Sequence, residues 1–180
     1  MTSKFLILPG IGNSDENHWQ TLWENKSRDF QRIQQADWNN PDCSEWQNNL
    51  EEAVLALGKN TFLIAHSLSC LLVSHWASRS NLSIAGALLV APPDPNGAVF
   101  PKEAVSFSDF PSKKFAFPSI VVSSENDPYA EIDFSRNCAS LWGAEFVSIG
   151  KCGHINSSSG FGFWPQGELL LERLVKKVYA

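Results

Sequence analysis

Three residues of this chain have types and spacing suited to nucleophilic catalysis: Ser67, Asp127 and His154. A serine hydroxyl is a weak nucleophile at neutral pH. It needs a base to take its proton and a third group to orient that base. Ser67 lies in the stretch Thr61-Phe62-Leu63-Ile64-Ala65-His66-Ser67-Leu68-Ser69-Cys70. Thr61 to Ile64 are β-branched or apolar, the pattern of a short buried strand. Leu72 and Trp76, four apart and flanked by Leu71 and Ala77, begin a helical pattern. A serine between strand and helix, with small residues two positions to either side, fits a sharp turn that lifts the hydroxyl above a parallel sheet. The usual pattern is G-x-S-x-G; here Ala65 and Ser69 stand in for the glycines. The plainer alternative is a serine that caps the following helix.

In an open parallel sheet, chemistry gathers at the C-terminal ends of the strands. Glu125-Asn126-Asp127-Pro128 follows a strand pattern at Ser119–Ser123, and Lys151-Cys152-Gly153-His154 follows one at Ala144–Ile149. Ser67 and Asp127 are 60 residues apart; Asp127 and His154 are 27 apart, room for one helix and one strand. In this order His154 is the candidate base and Asp127 its orienting acid. Asp94 and Glu125 compete for the acid's role, and Asp127-Pro128 also fits a turn. His18, His66 and His75 compete for the base; His66, inside the turn, reads as packed or capping, and His154 as a solvated loop histidine if it has no role. Acyl transfer also needs two donors for an oxyanion. The backbone N–H of Leu68, just after the serine, is one candidate. The second is Ile11 in the loop Pro9-Gly10-Ile11-Gly12-Asn13-Ser14.

The elements that must hold these residues alternate. Strand patterns are expected at Lys4–Leu8, Arg32–Ala36, Thr61–Ile64, Ile84–Val90, Ser119–Ser123 and Ala144–Ile149. Helices are expected over His18–Phe30, from a Ser44-Glu45-Trp46-Gln47 capping box to Gly58, after Ser67, over Ile132–Trp142 and from Pro165. Strands alternating with helices predict an α/β fold with a mostly parallel sheet flanked by helices, as one domain over residues 1–180. Residues 91–118 form the one connection long enough to cover a site and too short for a separate cap domain.

Composition narrows the classes. The 180 residues are 43% hydrophobic and 18% charged, as in a soluble globular protein. A net charge of −5 argues against nucleic acid and acidic membranes as partners. The apolar run Phe5–Leu8 is too short for a signal segment and no run approaches a membrane span, so a cytoplasmic location is expected. Cys43, Cys70, Cys138 and Cys152 lack C-x-x-C spacing and are expected as thiols. Cys152-Gly153-His154 could supply half a metal site, but no second ligand pair has suitable spacing, so no metal is expected. A dinucleotide reading of the Gly10 loop is disfavoured because Asp15 stands at the third glycine position, where its charge opposes a pyrophosphate.

Taken together the residues resemble a known family, the YdeN-like serine hydrolases, a small α/β-hydrolase group that includes retinoblastoma-binding protein nine. The likeness runs over nearly the whole chain. It rests on Pro9-Gly10 leading to His18-Trp19 and Trp23, on Ala65–Ser69, and on Asp127-Pro128-Tyr129. Most specific are Gly153-His154-Ile155-Asn156, Ser159-Gly160-Phe161-Gly162 and Trp164-Pro165-Gln166-Gly167. The resemblance implies a compact α/β-hydrolase fold and a triad at Ser67, Asp127 and His154. It implies hydrolysis of a small-molecule ester or amide with no metal or organic cofactor. His18, Trp19 and Trp164 are the pocket candidates, with Trp19 and Trp164 expected to pack beside the site as supporting residues. Ser69, where many members carry glycine, is the main departure. A protein-interaction module on a hydrolase scaffold is the alternative.

Overall fold

The computed structural model describes residues 3–179. Six strands form one sheet: β1 (Lys4–Leu8), β2 (Phe30–Arg32), β3 (Thr61–His66), β4 (Gly86–Val90), β5 (Ser119–Ser123) and β6 (Glu145–Ser148). All pairings are parallel, in the order β2-β1-β3-β4-β5-β6. The helices are α1 (Trp19–Glu24), α2 (Cys43–Leu57), α3 (Leu68–Arg79), α4 (Ile132–Trp142) and α5 (Pro165–Tyr179). This is the α/β-hydrolase arrangement, with helices on both faces of the sheet and no separate cap domain among the described residues.

Side-chain alternation along the strands explains the two faces. Leu63 and Ala65 of β3 point to one face, where they join Trp46, Leu50 and Val54 of α2, Leu72 and Trp76 of α3, and Trp142 of α4. Phe62 and Ile64 point to the other and meet Trp19 and Trp23 of α1 and Leu170, Leu171 and Leu174 of α5. Every residue of β3, β4 and β5 is buried, as central parallel strands require. Register then sets depth at the C-terminal edge: Leu8 lies opposite Ala65, and His66 opposite Val90.

Several boundaries differ from the sequence expectation. α1 is six residues long and stops at Asn25, while Phe30, which looked helical, belongs to β2 and stacks on Phe5 at 4.6 Å. The expected strand Arg32–Ala36 is thus displaced toward the N-terminus. α2 is capped by Asp42, whose side chain accepts from the Glu45 N–H, not by Ser44. The Ala91–Pro118 connection contains a 3₁₀ segment, Lys102–Phe107, anchored by the buried Phe107. The four cysteines are thiols. No helix among the described residues is long and apolar enough to cross a membrane.

Candidate active site

The β3–α3 junction holds Ser67 at φ 55° and ψ −125°, a conformation that costs a non-glycine residue energy. It persists because the surroundings fix it: the Ser67 N–H donates to Val90 O at 2.9 Å, and the Cys70 N–H donates to Ser67 O at 2.9 Å. Ser67 stands at the N-cap position of α3, yet its hydroxyl caps nothing. The hydroxyl instead lies 2.8 Å from Nε2 of His154. On the other side of that ring, Nδ1 is 2.9 Å from both carboxylate oxygens of Asp127. A carboxylate only accepts, so Nδ1 carries the proton and Nε2 is free to accept from Ser67. Both side chains are nearly withdrawn from water, 8% exposed for His154 and 5% for Asp127.

Two loops hold this pair. After β5, Asp127 also accepts from the Tyr129 N–H at 2.9 Å. Asn126 Oδ1 accepts from the Gly153 N–H at 2.8 Å, and Ser124 Oγ accepts from the Cys152 N–H at 2.8 Å. The Asp127 loop is therefore bonded to the His154 loop directly. Gly153 has φ 55°, and a Cβ there would lie 2.5 Å from Ser159 Oγ, the group that accepts from the His154 N–H. The Tyr129 ring packs on the imidazole at 4.5 Å.

The competing residues lie elsewhere or do other work. Asp94 caps its own turn at Asn96, and Glu125 accepts from Ser148. His75 sits beside Phe107 on α3. His66 donates from Nε2 to the His154 carbonyl at 2.9 Å, so it supports the His154 backbone. His18 caps α1 through Nδ1, which accepts from the Gln20 N–H. The three rings stand in a row, 4.8 Å from His18 to His66 and 4.9 Å from His66 to His154. Burial lowers the His18 pKa to about 4 and pushes that of His66 well below its ordinary value, so both are neutral at neutral pH.

The loop after β1 passes over the turn. A Cβ on Gly10 would lie 2.8 Å from Ser67 Cβ and 3.3 Å from Ser67 Oγ, so the loop reaches this close only because residue 10 has none. Ser69 answers the departure noted in the sequence: its hydroxyl donates to Pro9 O at 2.5 Å and ties the loop to the start of α3. The backbone N–H groups of Ile11 and Leu68 have no acceptor among the described residues. Gln20, buried and not singled out from the sequence, donates to Leu8 O and Ile64 O and joins the ends of β1 and β3.

A cleft of about 180 Å³ opens at Ser67 and His154. Its lining includes the apolar Leu68, Pro93, Phe100 and Pro101 and the polar Asn13, Asp15, His18, Asn156 and Ser157. His18 lines the cleft, and Trp19 and Trp164 are buried beneath the His154 loop, 5.0 Å from each other, with Trp19 Nε1 donating to Ile155 O. Rings that large stabilise by burial, and the loop, not the cleft, is what they support. No three His, Cys, Asp or Glu side chains among the described residues are gathered as metal ligands.

Known proteins are similar to this chain in sequence and fold. The YdeN hydrolase of Bacillus subtilis (strain 168) is 25% identical, with 92% of each chain covered. The crystal structure of a YdeN-like hydrolase from Pectobacterium atrosepticum superposes with a TM-score of 0.87 at 28% identity, covering 98% of this chain and 92% of that one. A thermophilic esterase from Thermogutta terrifontis, 11% identical, shares the fold with a TM-score of 0.72 over 100% of this chain and 92% of that one. Residues 5–173 match the family described as serine hydrolase, and the chain belongs to that family, with YdeN-like hydrolases as its relatives.

Proposed function

We propose that the protein cleaves a small acyl ester, or an amide, through an acyl-enzyme on Ser67, with His154 as general base and acid and Asp127 as the orienting carboxylate. The observation that carries this reading is the 2.8 Å approach of Ser67 Oγ to His154 Nε2, at a serine held in a strained turn. Ser67 Oγ attacks the acyl carbon as its proton passes to His154 Nε2. The Asp127 carboxylate stabilises the imidazolium at Nδ1. The N–H groups of Ile11 and Leu68 face the oxygen that becomes negative. Collapse of the tetrahedral species expels the alcohol or amine, which takes the proton from Nε2. Water then repeats the sequence on the acyl-enzyme, and the acid leaves.

The cleft volume, about 180 Å³, lies below the roughly 300–1,000 Å³ common for drug-sized ligands, which favours a short substrate. The reading is tested by intact-mass analysis after exposure to a fluorophosphonate, together with turnover of short p-nitrophenyl esters. Stoichiometric labelling and turnover are expected, and both are lost in Ser67→Ala. Folded wild-type protein that neither labels nor turns over any ester overturns the reading in favour of an interaction module.

A further inference from the structure

The mechanism above leaves one charged side chain of the cleft unused. Asp15 lines the cleft, on the same loop that carries Ile11. Its carboxylate accepts from the Asn17 N–H at 2.8 Å and from the Ser157 hydroxyl, both neutral donors. The Ser157 bond, ahead of other causes, holds its pKa below the ordinary carboxylate value. No lysine or arginine lines the cleft among the described residues. The Arg32 guanidinium donates to Asn13 Oδ1 but is paired with Glu24 at 2.8 Å. The two spare imidazoles, His18 and His66, are neutral. As the reaction proceeds, the Asp127 charge is matched by the His154 imidazolium. The Asp15 charge has no such match.

We propose that Asp15 selects substrates by charge, favouring esters or amides that carry a cationic group on the portion facing Asp15 and disfavouring anionic ones. This rests on the hydrolase reading above. In a cleft this small, a charge a few bonds from the acyl carbon lies near the Asp15 carboxylate. A cationic group also offsets the repulsion between Asp15 and the developing oxyanion, so part of the preference is realised in the transition state. Asp15 is open to water, which moderates the effect.

The test uses two matched panels. In the first the acyl chain varies: p-nitrophenyl esters of 4-(trimethylammonio)butanoate, 5,5-dimethylhexanoate and 4-sulfobutanoate. In the second the alcohol varies: acetates of choline, 3,3-dimethylbutanol and 2-hydroxyethanesulfonate, followed by pH-stat. The readout is the ratio of kcat/KM for the cation to that for the anion. Wild type is expected to favour the cation in at least one panel, and less so as ionic strength rises. Asp15→Asn, which can keep bonds to Asn17 and Ser157, should shrink that ratio by roughly tenfold. Asp15→Lys should shrink it further. A wild-type preference for the anion, no preference in either panel, or a ratio unmoved by both variants overturns the inference. Fluorophosphonate labelling of wild type separates the cases: labelled protein without charge preference sinks only the role of Asp15. Unlabelled, inactive protein sinks the hydrolase reading and this inference with it.

Discussion

Gly10→Ala tests the close approach on which the oxyanion assignment depends. Gly10 is not at positive φ, so alanine introduces no backbone strain of its own. Its whole effect comes from one methyl group. That methyl would stand 2.8 Å from Ser67 Cβ, against the roughly 3.4 Å where ordinary contact begins, so the loop must retreat by about 0.6 Å. Ser67 cannot retreat instead, because its backbone is pinned to Val90 and Cys70. Pro9 is held by Ser69 Oγ, so the motion falls on the following residue, Ile11. Removing an oxyanion donor outright costs about 10²–10³ in kcat; displacing one by a fraction of an ångström should cost about 10–10². Overpacking should also lower stability by about 1–3 kcal/mol. The assay is steady-state turnover of a short p-nitrophenyl ester, with urea unfolding in parallel. The drop is expected in kcat, with KM little changed, because the donor acts on charge that exists only in the transition state. A folded Gly10→Ala protein with kcat within about twofold of wild type would refute the reasoning and remove Ile11 from the oxyanion site.

Two further outcomes follow from buried groups. Ser69→Ala removes the bond to Pro9 O at a buried position, so a stability loss of about 1–2 kcal/mol and a several-fold fall in kcat are expected; urea unfolding and ester turnover check both. His18 has a folded pKa of about 4, below the ordinary 6.5, so the unfolded chain takes up its proton first as pH falls. Its neutral burial therefore costs stability across the window from 6.5 to about 4, by about 2 kcal/mol at pH 5, and His66 acts in the same direction. Urea midpoints at pH 7.5 and 5 should show the fall, and His18→Gln should reduce it; a flat profile would contradict the assigned burial.

Much of the architecture is legible because parallel strands buried on both faces leave continuous apolar runs, as at Thr61–Ile64 and Ser119–Ser123. The polar residues just after those runs then stand out, and Ser67, Asp127 and His154 are brought together. Elsewhere local pattern misleads. Phe30 extends the apolar spacing of Trp19 and Trp23, but its ring serves a strand stacked on Phe5. Ser44 and Asp42 both suit a helix start, and only tertiary placement selects Asp42. Trp19 and Trp164 are near the site along the chain and beneath it in space, a depth that one-dimensional spacing does not encode. Asp15 reads from the sequence as an obstacle to phosphate; its place in the cleft wall depends on a loop bonded to Ser157 across 142 positions.

The contact between Trp19 and the segment after β6 also bears on biosynthesis. A nascent chain makes β1, α1 and the serine turn early, yet the imidazole comes after the sheet's last strand, and the indole of Trp19 ties its loop back to α1 through Ile155 O. Partly synthesised chains therefore carry Ser67 without the His154 imidazole beside it, and the two meet only when the segment after β6 docks. On the proposed hydrolase reading, ester turnover during refolding would report that docking event.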